Sequence, residues 1–258
     1  MSAARAGQGG EDLALVRRVH AELGSRPTGR GRSATLPPDP VATTVVLPPA
    51  RPLPPVTVEQ ALLRRRSAYT WGPGQMALPD LADLLRWSLG VQREVLLPDG
   101  RRHRAGVAPS AGGLPSLEPW LVVRGPGALS PGVHRADVRH TDGGGGGTLT
   151  RTRAGDPTDA LTAVLDQPPF ATRATVVVVL VARLDLTLPT YGPRHYRTLH
   201  LDAGIALQNL QLVATALDLP GCPVSGFSDE GLAALLALPG TAFPAALFVS
   251  GSRVQTSR

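Results

Sequence analysis

Apolar positions recur along the chain at two distinct periods. Between Tyr196 and Leu217, the residues Leu199, Ala203, Ala206, Leu210, Val213 and Leu217 repeat at steps of four and three, which predicts a helix carrying them on one face. Leu201, Ile205, Leu212 and Ala216 form a second apolar row on the same segment. A helix apolar on two sides is expected to be central, inside the domain or within a dimer interface. Thr175 to Ala182 is a near-continuous β-branched run, as expected of a strand covered on both faces.

Shorter patterns predict further elements. Val58 to Arg65 reads as a helix with Thr57 as its N-cap. Leu78 to Leu89, Pro157 to Leu165 and Asp229 to Leu238 read as helices, the second of these opening on proline at a first-turn position. Trp120 to Arg124, Val133 to Val138 and Ala245 to Ser250 read as strands, and the five glycines Gly143 to Gly147 as a loop tip. Helices and strands intermix without a strict βαβ rhythm, which points to an α+β domain. The first fifty residues look peripheral. A short amphipathic helix is expected over 11–23, and the eight prolines from Pro37 to Pro55 predict an extended connector. The expected division is a peripheral segment over 1–51 and one folded domain over 52–258.

Composition narrows the function classes. With 258 residues, 42% hydrophobic and 18% charged, the chain can bury a sizeable core. The longest apolar run, Val176 to Ala182, is far below the roughly 18 residues of a membrane span. Glu11 and Asp12 precede any apolar stretch, against a secretory signal. The single cysteine, Cys222, excludes a disulfide framework and a paired-cysteine zinc site, so no metal is expected, and it suits a reducing, cytoplasmic compartment.

The net charge of +6 comes from 26 basic residues that are all arginine. They are scattered, and aromatics total only 4%, so no platform for stacked bases is expected and nucleic acid is not the predicted partner. The absence of lysine excludes a Schiff base, a phosphate-loop lysine and a lysine general base.

Three short segments have residue types suited to an anionic, planar ligand. Arg64-Arg65-Arg66-Ser67 closes a predicted helix, and guanidinium forks beside a hydroxyl match a phosphate. Alone, it reads better as basic residues complementing a helix dipole. Pro109-Ser110-Ala111-Gly112-Gly113-Leu114 would let backbone approach a flat ring, or would be an ordinary loop before a strand. Gly221-Cys222-Pro223-Val224-Ser225-Gly226-Phe227 would offer backbone N–H groups in an irregular segment. No neighbouring base supports Cys222 as a nucleophile, and it reads better as a small buried hydrophobe.

Taken together, these segments resemble the flavin-contacting segments of the nitroreductase-like superfamily, and within it the SagB-type azoline dehydrogenases of ribosomal-peptide biosynthesis. The Pro-Ser-Ala-Gly-Gly-Leu stretch followed by Glu118 carries the resemblance, as do Tyr191-Gly192-Pro193-Arg194-His195-Tyr196-Arg197, Asp202-Ala203-Gly204 and Gln208-Asn209-Leu210. The likeness spans about residues 52 to 251. It implies a nitroreductase-like fold with a central mixed or antiparallel sheet flanked by helices, FMN as cofactor, and a homodimer with its long helix at the interface. Carried over by position, Arg65, Arg66 and Ser67 would hold the phosphate and ribityl chain. Pro109, Ser110, Ala111 and Gly113 would contact the ring from the partner subunit, Ser225 and Gly226 would face the N5 edge, and Arg253 would add a phosphate contact.

The implied reaction oxidises thiazoline or oxazoline rings of a modified precursor peptide to azoles, alone or with a cyclodehydratase complex. The chain departs from the family pattern in several places. The usual adjacent lysine and tyrosine read Thr190-Tyr191 here, which leaves Tyr191, His195 or His200 as the expected base. Tyr69 stands where a basic residue is common, and Pro115 replaces a histidine that often follows the glycine pair. Two alternatives stay open: a catalytically weak or inactive subunit of a cyclodehydratase complex, and a general NAD(P)H-dependent nitro or quinone reductase.

Overall fold

The computed structural model describes residues 43–100, 102–138, 147–192 and 194–254. The expected helix over 11–23 and Gly143 to Gly146 of the glycine run lie outside the described residues. The fold is organised around strand β7, Val176–Arg183, in which every residue is buried. Its neighbours are β4, Leu117–Val123, and β9, Ala242–Ser250. Side chains alternate across each strand. Leu121, Val123, Val178, Leu180 and Phe248 join one core cluster, whereas Trp120, Val122, Val177, Val179, Leu247 and Val249 join another. A strand that feeds two cores has no polar face, which is why the sequence reads as an unbroken β-branched run.

The full sheet has seven strands in the order β1-β6-β5-β4-β7-β9-β8, with β1 Thr44–Val46, β5 Gly132–Asp137, β6 Thr148–Ala154 and β8 Gly221–Val224. Every pairing is antiparallel, so of the expected mixed or antiparallel sheet the second holds. Helices α1 (Val58–Arg64), α2 (Leu78–Leu89), α3 (Thr158–Val164), α4 (Pro168–Arg173), α5 (Leu184–Tyr191), α6 (His195–Ala216) and α7 (Asp229–Leu236) flank it. Helices α2 and α6 cover one face and α3, α4 and α7 the other. Thr57 caps α1 as expected, in a reciprocal pair with Gln60 at 3.1 Å each way.

Two differences from the sequence reading have physical causes. The sheet begins before residue 52: β1 pairs with β6, and Leu47 is buried in the core. The prolines end β1 without detaching it, because an edge strand tolerates a proline-rich exit. Next, Arg51 is clamped onto α2, its backbone N–H and Nε donating to Asp83 at 2.7 Å and its Nη2 to Asp80 at 2.6 Å. A two-stranded hairpin, β2 (Val91–Leu96) with β3 (Arg102–Gly106), follows α2. Its side chains are largely exposed, so no apolar alternation marked it in the sequence.

Candidate flavin site

Helix α6 is the spine on which the expected segments are mounted. Near its start, Asp202 is buried and takes the Ser116 hydroxyl at 2.8 Å and the Ala111 N–H at 3.3 Å. These bonds fix the loop over residues 109–116 above the helix. Ser110 Oγ closes the loop by donating to the Leu114 carbonyl at 2.7 Å, and Ala111–Gly113 forms a single 3-10 turn. Pro109 lies over a small apolar cavity lined by Leu89, Leu117, Leu180 and Ala206.

Gly112 and Gly113 hold left-handed φ values of 61° and 66°. A Cβ on Gly112 would collide with Tyr191 Oη, and one on Gly113 with Nε2 of His103. The glycine pair therefore serves two needs: a backbone that L side chains rarely adopt, and close approach by two ionisable groups. Tyr191 ends α5, where its ring stacks on His195 with centroids 4.7 Å apart. His195 opens α6 at only 2% exposure, with a buried Nε2 that has no hydrogen-bond partner among the described residues. Burial pushes its pKa down against the pull of Asp202, and Arg194 adds to the lowering.

The arginine segment sits elsewhere on the spine. Gln211 Nε2 donates to the Arg66 carbonyl at 2.9 Å, and the Ala68 N–H bonds the Gly221 carbonyl at 3.0 Å. Ser67 therefore lies beside Cys222, whose thiol is pushed up by burial and eased back by a hydrogen bond to Ser67. Cys222 is thus buried, in keeping with its reading as a small hydrophobe. Arg64, Arg66 and Arg253 line one open cleft with Thr215 and Asp218, at the C-terminal end of α6. Arg65, the helix C-cap, is not among the lining residues, and Arg64 takes its place. Arg253 donates to Asp80 and, at 2.8 Å, to the Leu217 carbonyl. Asp80 is thereby shared between Arg253 and Arg51; burial works to raise its pKa, but the two guanidiniums outweigh that and hold it below the usual carboxylate range.

The third segment continues from the same region. Ser225 is exposed just past β8, and Gly226 packs against Asp166, whose Oδ2 a Cβ would approach to 2.6 Å. The Asp166 N–H returns to the Gly226 carbonyl at 3.0 Å. The structure thus brings the first and third segments together and holds the second apart from them. Asp202 and Gln211, the two anchors, are nine residues apart on α6, about 14 Å along the axis and two and a half turns round it. They face opposite sides of the helix.

Several residues of this arrangement escape a reading of the sequence. Asp202 is a visible motif member without a visible task, and Asp80 carries no signal of its own, whereas Arg64 was part of the arginine segment but not among the residues assigned to the phosphate. His103 reaches the glycine pair only through the hairpin. The donor set suits an anionic planar ligand: guanidiniums with a hydroxyl at one place, and a side-chain-free backbone at another.

The antiparallel sheet, the two helical layers and the glycine-paired loop on the long helix define an α+β fold. Residues 62–252 match the model of the nitroreductase family, and the chain belongs to that family. A Methanocaldococcus jannaschii protein, named as a nitroreductase, is 25% identical over 201 residues, 78% of this chain and 93% of its own. A nitroreductase-type crystal structure from Anabaena variabilis superposes with a TM-score of 0.66 at 20% identity, covering 83% of this chain but 42% of that longer one. A chain of the Escherichia coli microcin synthetase McbBCD complex, with truncated pro-MccB17 bound, superposes with a TM-score of 0.58 at 18% identity, covering 95% and 94%. These structural likenesses show the nitroreductase-like fold. Among the described residues, no helix is long and apolar enough to cross a membrane.

Proposed function

We propose that the chain is a homodimeric FMN-dependent oxidoreductase that removes two hydrogens from azoline rings of a modified peptide. The observation that carries this reading is the split of the donor set across α6. The arginine cleft lies at one end of the helix and the bare glycine pair, with its ionisable neighbours, at the other and on the opposite side. A single protomer cannot close both on one small cofactor, whereas two protomers related by a twofold axis can. The face needed for that is present: Leu201 is 64% and Ile205 38% exposed, with Gly204 between them in open space.

FMN suits the site in its two chemical halves. Arg64, Arg66 and Arg253 would hold the phosphate, with Arg65 and Ser67 near the ribityl chain. Pro109, Ser110, Ala111 and Gly113 of the partner subunit would face the ring, and Ser225 and Gly226 its edge. When bound, the flavin supplies a two-electron acceptor. The protein holds the azoline against it, excludes water through the loop over 109–116, and provides a proton acceptor near the glycine pair. The peptide substrate follows from the SagB-type motifs, and a fold neighbour that belongs to a peptide-modifying synthetase supports it.

Purified protein is expected to be yellow, dimeric by mass, and to bind FMN more tightly than riboflavin, because the arginines act on the phosphate. An azoline peptide should lose two hydrogens with flavin bleaching under argon. A colourless monomer at saturating FMN would refute the proposal. The second reading, an inactive complex subunit, is favoured by Thr190 standing where the family has lysine. Activity that rises from near zero in Thr190→Lys would favour it, and rapid bleaching by NAD(P)H alone would favour the general reductase.

A further inference from the structure

The glycine pair is approached from two sides by ionisable groups, and the function proposed above needs a proton acceptor there without saying which. Tyr191 Oη stands over Gly112, while the His103 imidazole, through Nε2 and Cε1, fills the space a Cβ on Gly113 would take. His103 comes from the β2–β3 hairpin, an element with no other task in the site. Backbone bonds fix its place: His103 pairs with Val95 across the hairpin, and the Val107 N–H returns to the Gly90 carbonyl at 2.9 Å. The side chain is half-buried and has no hydrogen-bond partner among the described residues.

The neighbouring candidates are less suited to accept a proton from a bound ring. His195 is sealed beneath Tyr191 at 2% exposure. Tyr191 is stacked on His195 and has its Oη against the Gly112 backbone. The half-buried His103 instead sets Nε2 directly against Gly113, where an imidazole nitrogen can accept a proton. With no lysine in the chain, we infer that His103 is the catalytic base, accepting the substrate proton at Nε2; this rests on the flavin site proposed above.

The step balances. The azoline Cα–H bond would break with its proton passing to His103 Nε2, and the Cβ hydrogen would leave with its electron pair to the two-electron acceptor that FMN supplies when bound. The two ring carbons would gain a double bond, and dioxygen would take the two electrons, the proton carried with them and the proton released from His103, leaving as hydrogen peroxide.

The test uses the full chain. In flavin-free protein, added FMN should shift the His103 imidazole NMR resonances. His103→Ala should reduce the rate of flavin bleaching by an azoline peptide about a hundredfold while FMN affinity stays within about threefold. Added imidazole should restore at least a tenth of the lost rate, which a packing role would not allow. His103→Gln, which keeps the side-chain bulk, should show the same loss without rescue. An unchanged rate, a loss without rescue in His103→Ala, equal loss of FMN affinity, or an unmoved His103 resonance overturns the assignment. Flavin bound without azoline oxidation also overturns it while leaving the flavin site standing. If the wild-type protein binds no FMN, the proposed function falls first, and that is seen before any variant is made.

Discussion

His195 and Asp202 lie seven residues apart on the same side of α6, one an imidazole whose pKa burial lowers and the other a buried carboxyl group bonded to the 109–116 loop. Their pairing gives a test of stability against pH. Burial lowers the His195 pKa below that of an unfolded chain, about 6.5. As pH falls below that value, the unfolded chain takes up a proton that the folded chain resists, so stability is complete above about pH 6.5 and lost below it. His134, also pushed down by burial, acts in the same direction. His195→Gln should therefore flatten, without abolishing, the fall in urea midpoint below about pH 6.5. An unchanged slope would show that burial does not lower the His195 pKa in the folded protein. None of this is visible in the sequence, where His195 and His200 look alike. One is sealed and the other exposed because helical phase relative to the core separates them, and only packing sets that phase.

At the scale of elements, strongly periodic segments were legible and weakly apolar ones were not. The α6 boundaries came within a residue, since a 22-residue helix presents its repeat many times over. Strand β7 was legible for a similar reason. Strand β9 begins at Ala242, earlier than the expected Ala245, because Pro244 sits at a register shift opposite Val181, where a missing N–H is tolerated. Helix α5 was missed behind Pro189, and the hairpin behind its arginines. The N-terminal boundary is the sharpest case. Leu47 is fully buried and Arg51 bridges two carboxylates of α2, although both residues lie among the prolines. Leu47→Ala should cost about 2–5 kcal/mol in urea unfolding, the range of an ordinary core leucine. A change under about 0.5 kcal/mol, as for a surface site, would put the boundary back near residue 52.

For the whole molecule, the division of labour along α6 makes a prediction that no single-chain site would share. If the arginine cleft of one protomer serves the same cofactor as the glycine pair of its partner, defects in the two places lie in different protomers of each site. Arg66→Glu should abolish FMN binding by reversing charge in the cleft, and Gly113→Val should abolish it by forcing a branched side chain onto His103 at a left-handed backbone position. Each variant alone should be colourless. Unfolded together and refolded as a mixture, half the dimers are hybrids, and each hybrid contains one site with both halves intact beside one with both defective. About one site in four should then hold flavin, read from visible absorbance per protomer. A site built within one chain gives no recovery, because every protomer carries its own defect. Leu201→Arg should prevent the recovery as well, since the exposed row of α6 is the surface that must pair for the two halves to meet.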